Sequence, residues 1–271
     1  MTLNPTNAEE RARLVDWLRD EITKTYVKGV LVANSGGADS ACVTSLCVDA
    51  IGPRRVLNVT IPIASASYAA VDATRIAEWL GVEILELPMD NTLEMFLSDS
   101  KAEEHPAWNK LSNKEQAVAK GNVKARLRTT MARFWAEVHG YLFINTCNWS
   151  ETVVGYDTKG GGDADGDLCP IIQFVKWDIW ELLRLRGAPQ WILDKTPSPD
   201  LEAGQTDEGD LGMSYATLDI FAGTFASGGM DAVLTLSASP ERDRFISLYM
   251  ASMHKRLPPP SFQREGFIHS T

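Results

Sequence analysis

The chain has 271 residues, 44% of them hydrophobic, and its 36 acidic side chains outnumber the 26 basic ones to give a formal net charge of −10. This apolar content excludes an intrinsically disordered chain and suffices for one large core, so we expect a single domain over residues 1–271. The acidic balance argues against binding to DNA or RNA, because affinity for phosphate backbones depends on Lys and Arg.

Helices and strands alternate through the first third of the chain. Leu14, Leu18 and Ile22 recur every four residues behind a capping Asn7, which predicts an amphipathic helix that ends near Lys24. Short apolar, β-branched runs and helical spacing that ends at glycine then predict alternating elements. These are strands at 30–33, 56–63 and 82–87, helices at 41–50 and 68–80, and a short helix at 92–97.

The remaining two thirds contain fewer regular elements and two long loops. After a polar stretch we predict a helix at 123–138, a strand at 141–146, a helix at 176–186, a last helix from 239 to 254 and a tail at 258–271. The segments 155–170 and 197–212 are rich in glycine and acidic residues and too long to be idle connections. Strands that alternate with helices predict an α/β fold, a Rossmann-like parallel sheet with helices on both faces.

Cysteine usage and the charged N-terminus bear on the cellular compartment. The four cysteines form no C-x-x-C pair and the four histidines show no zinc-type spacing, which favours reduced thiols over disulfides or a structural metal. The first 25 residues carry too many charges for a signal peptide, and no apolar run is long enough to span a membrane. We expect a cytoplasmic protein without a membrane partner.

The junction between the first strand and the second helix carries SGGADS at residues 35–40. Ligands bind beyond the carboxyl ends of parallel strands, and a helix that starts there offers free N–H groups to a phosphate. The loop lacks the lysine of a Walker A motif, and Asp39 would repel phosphate unless it holds Mg²⁺. We predict a magnesium-assisted nucleotide site with pyrophosphate as the leaving group. The alternative is a glycine-rich turn with a capping aspartate.

The loop resembles the signature of the N-type ATP pyrophosphatases, which cleave ATP between its α and β phosphates and adenylate a substrate oxygen. Five further segments resemble NAD synthetase in the right order, over about residues 10–262. They are GNVKARLR at 121–128, NTCNWSE at 145–151, the glycine-rich loop at 155–170 with Lys176 after it, TPSPDL through LG at 196–212, and HKR at 254–256. The resemblance implies the adenine nucleotide alpha-hydrolase-like fold.

Matching positions imply individual roles. Contacts to ATP are implied for Ala33, Asn34, Ser35, Gly36, Gly37, Ala38, Asp39, Ser40, Thr146, Lys176 and Ser198. Contacts to deamido-NAD are implied for Arg126, Lys159, Asp167, His254 and Lys255. Glu151 aligns with a Mg²⁺ ligand, and Asp39 is the second acid expected to hold the ion. Asp39 and Lys176 are the candidate catalytic residues, because a metal and a lysine can offset charge that develops on pyrophosphate.

Several of these segments also have a structural interpretation. The basic stretch at 121–128 suits a solvated helix face, Glu151 suits a surface position behind a capping Ser150, and the cations at 254–256 suit a helix C-terminus. The loop at 197–212 suits solvent everywhere except at Ser198.

The sequence departs from the family pattern at four positions. Asn34 stands in place of a usual apolar residue, Asn145 in place of a glycine, and Asp157 and Gly160 where aromatic residues are common. None of the residues assigned to metal or phosphate is lost.

The resemblance implies ammonia-dependent synthesis of NAD⁺ by a homodimer. The nicotinate carboxylate of deamido-NAD⁺ attacks the α phosphorus of ATP, pyrophosphate leaves, and ammonia then attacks the adenylated carbonyl to give NAD⁺ and AMP. The chain has little room for a glutamine-hydrolysing domain, so free ammonia is the expected nitrogen donor. Two alternatives are another N-type ATP pyrophosphatase that adenylates a nucleobase or tRNA, and a non-catalytic ATP-binding module.

Overall fold

A four-stranded parallel sheet forms the centre of the computed structural model, which describes residues 6–64, 67–198 and 205–257. The predicted tail at 258–271 and motif positions 199–204 lie outside these residues. The strand order is β3-β2-β1-β4. In chain order the strands are β1 Gly29–Ala33, β2 Val56–Thr60, β3 Glu83–Glu86 and β4 Tyr141–Ile144. The prediction of a parallel sheet is confirmed.

Helices cover both faces of this sheet, as predicted. They are α1 Ala8–Lys24, α2 Ala38–Ile51, α3 Ser67–Leu80, α4 Asp90–Ser100, α5 Asn113–His139, α6 Trp149–Val154, α7 Lys176–Arg186, α8 Gln190–Leu193, α9 Asp207–Leu211, α10 Tyr215–Thr235, α11 Pro240–Ala251 and α12 Met253–Arg256. No helix among the described residues is long and apolar enough to cross a membrane.

The central strand β1 is buried on both faces, as its continuous apolar run predicts. Val30 and Val32 belong to the core formed with α1, α2 and α7. Leu31 points to the opposite face and packs in the core formed with α4 and α5. This double burial fixes the strand whose carboxyl end carries the glycine-rich loop.

A third apolar core joins α6, α9, α10 and α11. Leu218, Phe221 and Val233 on α10 and Phe245 on α11 form its centre. No helix was predicted at α10, which contacts α6 and α7, the helices that carry Glu151 and Lys176.

The predicted boundaries were wrong at several elements. α5 begins at Asn113 rather than 123, because Ser112 and Glu115 form a capping box in the stretch that looked irregular. β2 ends at Thr60 and β4 at Ile144, short of their predicted ends. α2 begins at Ala38, so the last residues of the glycine-rich segment are helical.

Candidate active site

A left-handed turn at Gly36 shapes the loop at the carboxyl end of β1. The φ angle of Gly36 is 76°, and a Cβ atom there would lie 2.7 Å from the carbonyl oxygen of Ala69, so the position requires glycine. Asn34 lies beneath the loop, and its Oδ1 accepts a hydrogen bond from the Gly36 amide at 2.9 Å. This hydrogen bond of the Gly36 amide stabilises the turn.

Asn34 is the centre of a buried polar network. It is 1% exposed, and its Nδ2 donates to Asn58 Oδ1 at 2.8 Å and to the carbonyl oxygen of Ala73 at 3.1 Å. Asn58 Nδ2 donates in turn to Thr44 Oγ1 at 3.2 Å. The departure from the usual apolar residue thus ties the loop to β2, α2 and α3.

The first turn of α2 faces the cavity directly after this loop. Gly37 caps the helix and has no side chain that could accept a hydrogen bond from the leading N–H groups. Ala38, Asp39 and Ser40 line the cavity. Free amides at a helix N-terminus bind anions such as phosphate.

Lys176 lies between two carboxylates beside the loop at 35–40. The residue is 2% exposed, and its Nζ lies 2.5 Å from Asp39 Oδ2 and 3.1 Å from Glu151 Oε1. Burial opposes the charged form, but the neighbouring carboxylates of Asp39 and Glu151 raise the pKa of Lys176 above its usual value. Burial raises the pKa of Glu151, while Lys176 counteracts this effect. The ammonium therefore stays charged in a site that otherwise disfavours charge.

Asn148 joins the two elements that carry the acids. Its Oδ1 caps α6 by accepting from the Glu151 amide at 3.1 Å, and its Nδ2 donates to Asp39 Oδ1 at 3.0 Å. The side chain is fully buried. The sequence contains the signal, an Asn three residues before Glu at a helix start, but capping was assigned to Ser150 instead.

Ser150 and Asp219 hold the start of α7. Asp219, on α10, accepts from Ser150 Oγ at 2.5 Å and from the Trp177 amide at 2.8 Å. Ser150 Oγ lies 3.0 Å from the Lys176 amide, where it accepts a hydrogen bond. These contacts fix the first residue of α7 and thereby aim the Lys176 side chain.

Tyr215 connects Glu151 to a further acidic group. Its hydroxyl lies 2.8 Å from Glu151 Oε1 and 2.8 Å from Asp207 Oδ2. Tyr156 donates to Asp210 Oδ2 at 3.0 Å from the same side. Burial and the nearby acids raise the pKa of Tyr215, so its hydroxyl remains a donor. Tyr215, Asp207 and Asp210 were missed because no sequence spacing links them to residues 39 and 151.

A cavity of about 1070 Å³ opens over this cluster. Its walls include twelve of the predicted site residues: Ala33, Asn34, Ser35, Gly37, Ala38, Asp39, Ser40, Thr146, Glu151, Lys176, Ser198 and Lys255. The volume is at the top of the range of about 300–1,000 Å³ for small-molecule pockets, which suits more than one ligand.

Four predicted substrate residues lie apart from the cavity wall, and Gly36 is turned away from it. Arg126 donates to the carbonyl oxygen of Lys159 at 3.1 Å, and Lys159 Nζ donates to the carbonyl oxygen of His254 at 2.6 Å. Asp167 pairs with Arg133 at 2.6 Å and accepts from the Phe143 amide. These contacts form the outer wall of the site, where the loop at 155–170 is held against α5, β4 and α12.

The family of the protein follows from comparison with known sequences. The sequence model of the NAD synthase family matches residues 10–259. The chain belongs to the NAD synthase family. Members of this family are ligases that form the amide C–N bond of NAD⁺ and use ATP as a substrate.

Individual members of the NAD synthase family show how far the similarity extends. The NH(3)-dependent NAD(+) synthetase of Methanosarcina mazei is 35% identical over 253 residues, which cover 92% of this chain and 95% of that protein. The solved structure of NMN synthetase from Francisella tularensis has a TM-score of 0.80 and 29% identity, over 94% of this chain and 98% of that one. NH3-dependent NAD synthetase from Campylobacter jejuni shares the fold, with a TM-score of 0.74 and 21% identity, over 93% and 97% of the chains.

Proposed function

We propose that the protein converts deamido-NAD⁺, ATP and ammonia to NAD⁺, AMP and pyrophosphate. The observation that carries the proposal is the buried Lys176, held between Asp39 and Glu151 beside a lysine-free glycine loop in a member of the NAD synthase family. A carboxylate resists attack by ammonia, so its oxygen must first become a leaving group. Adenylation by ATP achieves this.

In this mechanism the free amides of α2 bind the phosphates and Lys176 stabilises the charge of the departing pyrophosphate. The nicotinate carboxylate oxygen attacks the α phosphorus, and pyrophosphate takes the bonding electrons. Ammonia then attacks the carbonyl carbon, AMP leaves and one proton is released. Positioning of the two substrates in one cavity supplies much of the rate enhancement.

A magnesium ion fits the residues present. The described residues contain no group of three or more His, Cys, Asp or Glu that could hold a metal by themselves. Asp39 and Glu151 are nevertheless close enough to share the Lys176 ammonium, and Mg²⁺ commonly uses one or two carboxylates with phosphate oxygens and water. These two residues would hold the ion, which would neutralise phosphate charge.

We also propose that Arg126, Lys159, Asp167, His254 and Lys255 bind the pyridine nucleotide in a homodimer. Only Lys255 reaches the cavity of its own chain. The support is the alignment with family positions.

A product assay tests this function. With deamido-NAD⁺, ammonia and Mg·ATP, we expect AMP, pyrophosphate and NAD⁺ in equal amounts. The formation of ADP and orthophosphate would refute the proposal. Asp39→Asn should abolish turnover, because it removes both the proposed metal ligand and the charge that pairs with Lys176, while the circular dichroism spectrum stays unchanged because no apolar core side chain is altered. Near-normal turnover in Asp39→Asn would refute the metal assignment.

A second candidate substrate is nicotinate mononucleotide, which carries the same reacting carboxylate. It is favoured by the TM-score, which is 0.80 for the NMN synthetase and 0.74 for the compared NAD synthetase structure, whereas the higher sequence identity, 35% to the Methanosarcina mazei NAD(+) synthetase, favours deamido-NAD⁺. The ratio of kcat/KM for deamido-NAD⁺ and nicotinate mononucleotide in the same assay decides between the two.

A further inference from the structure

One carboxylate oxygen in the cavity wall receives no hydrogen bond from the described residues. Asp157 lines the cavity, and its side chain is only 7% exposed. Its Oδ1 is buried and accepts no hydrogen bond from the part of the chain that the structure describes. A buried acceptor without a donor lowers stability, so a group of this kind in a ligand cavity points to a donor on the ligand.

The backbone around Asp157 is held in place. Gly155 has a φ angle of 64°, and a Cβ atom there would lie 2.2 Å from the Cβ of Ser252, so the turn packs directly against the segment between α11 and α12. Lys255 Nζ donates to the carbonyl oxygens of Gly155 at 2.7 Å and of Asp157 at 2.5 Å. An acceptor on a fixed backbone is preorganised for a ligand.

Lys255 also limits which ligand groups suit Asp157. Its Nζ lies 3.5 Å from Asp157 Oδ1, near enough to offset the carboxylate charge while its hydrogen bonds go to the two carbonyls. Asp157 offers one carboxylate to one ammonium, so a second cation there, whether ammonium or a metal ion, would be repelled without a second carboxylate to balance its charge. A neutral hydroxyl meets no such repulsion and forms a strong hydrogen bond with a charged acceptor.

We propose that Asp157 accepts a hydrogen bond from a ribose hydroxyl of a nucleotide bound in this cavity. The proposal rests on the proposed function, because both substrates of that reaction carry ribose diols. It assigns a binding role to a position where related sequences commonly have an aromatic residue. A hydrogen bond to ribose takes the place of any ring packing that an aromatic residue would offer.

Calorimetric dissociation constants test this contact without turnover. The ligands are ATP and the pyridine nucleotide that the product assay selects, each compared with its 2′-deoxy and 3′-deoxy analogues, the latter modified in the nicotinate ribose. One analogue should bind the wild-type protein about 10- to 100-fold more weakly than its parent, as expected for a hydrogen bond to a charged group. The affected ligand identifies whether the ribose belongs to ATP or to the pyridine nucleotide.

Variants of Asp157 assign the effect to this carboxylate. Asp157→Ala should bind the parent nucleotide about as weakly as the wild type binds the deoxy analogue, and should no longer distinguish the two. Asp157→Asn, which keeps an acceptor oxygen, should retain part of the discrimination and covers the case in which the alanine variant does not fold. Asp165→Asn is the matched control, because Asp165 lines the same cavity but both of its oxygens bind Arg133.

Three outcomes would overturn the proposal. In the first, the wild type binds each deoxy analogue as tightly as its parent nucleotide. In the second, Asp157→Ala still distinguishes the analogue from the parent as the wild type does. In the third, the only effect of Asp157→Ala is on the KM for ammonia. Failure of the proposed function gives a different result, namely discrimination in binding without formation of AMP from the natural substrates.

Discussion

Asn34 shows how a single residue can replace apolar support of a loop by hydrogen bonds. Its side chain contacts Gly36, Asn58 and Ala73, and all of these contacts are buried. The sequence identified Asn34 as unusual but gave no sign of its partners, because Asn58 lies on a different strand. The sequence therefore shows that Asn34 is unusual, but its hydrogen-bond partners depend on the register of the strands.

We predict that Asn34→Leu lowers the free energy of unfolding by about 1–3 kcal/mol, because Asn58 Oδ1 and the Gly36 amide lose their partners. The double variant Asn34→Leu/Asn58→Leu should lose less stability than the sum of the two single variants, because it removes both the donor and the acceptor of the hydrogen bond between these side chains. Urea unfolding of the four proteins measures the coupling. Strict additivity would contradict a linked pair.

The thiols offer a prediction about pH. Cys169 is exposed, whereas Cys42, Cys47 and Cys147 are buried. The sulfur of Cys169 is nevertheless partly covered, and this partial loss of solvent, together with the carboxylates of Asp165 and Asp167, raises the pKa of Cys169 above its ordinary value. Because the thiolate is the reactive form, the rate of alkylation should still increase with pH above about 9.

Mass spectrometry after alkylation of the native protein should find one modified cysteine, and Cys169→Ser should remove it. All four should react in denaturant, because unfolding exposes the buried three. Rapid modification of Cys42 in the native protein, or a rate that is constant above neutral pH, would show that this thiol environment is wrongly described.

At the scale of elements, the strands that carry the site were predicted, whereas the first ten residues of α5 and the whole of α10 were missed. Asp39 and Glu151 meet because β1 and β4 are parallel neighbours, so residues after both strands reach the same edge of the sheet. The start of α5 was missed although Ser112 and Glu115 carry a recognisable cap. α10 was missed although Ser214 caps it and Tyr215, Leu218 and Ala222 recur at helical spacing, but its packing on α6 and α7 is a tertiary feature.

The N-terminus of α7 gives a prediction at this scale. Asp219→Ala removes the acceptor of the Trp177 amide and releases Ser150, so we expect a loss of about 1–3 kcal/mol in unfolding free energy and a lower kcat. The kcat should fall because the Lys176 side chain is no longer held toward Asp39 and Glu151. Asp219→Asn, which keeps one acceptor oxygen, should recover part of both quantities.

Glu181→Ala is the control on α7. The ion pair of Glu181 with Arg184 is partly exposed, so its loss should lower the free energy of unfolding by less than about 1 kcal/mol. Steady-state kinetics and chemical unfolding measure the two effects. An Asp219→Ala protein that is less stable but keeps its full kcat would show that Asp219 supports the fold without positioning Lys176.

At the scale of the whole molecule, the cavity is lined by every predicted ATP residue except Gly36, whereas of the five predicted pyridine nucleotide contacts it is lined by Lys255 alone. Arg126, Lys159 and His254 instead bind one another along the outer wall. Sequence resemblance transfers a residue's identity without stating which chain of an assembly it serves. A homodimer in which these residues face the neighbouring subunit's cavity would reconcile the two.

Mixing two inactive variants tests this arrangement. Asp39→Asn and Arg126→Ala should each be inactive as purified proteins, and subunit exchange should produce mixed dimers with one intact site each. Because half of randomly formed dimers are mixed and half of their sites are intact, about a quarter of wild-type activity should return. Sedimentation must show a dimer of the 29.8 kDa chain for this to apply. If Arg126 acts on its own chain's cavity, every site keeps at least one lesion and no activity returns, because in that case the two substitutions cannot complement each other.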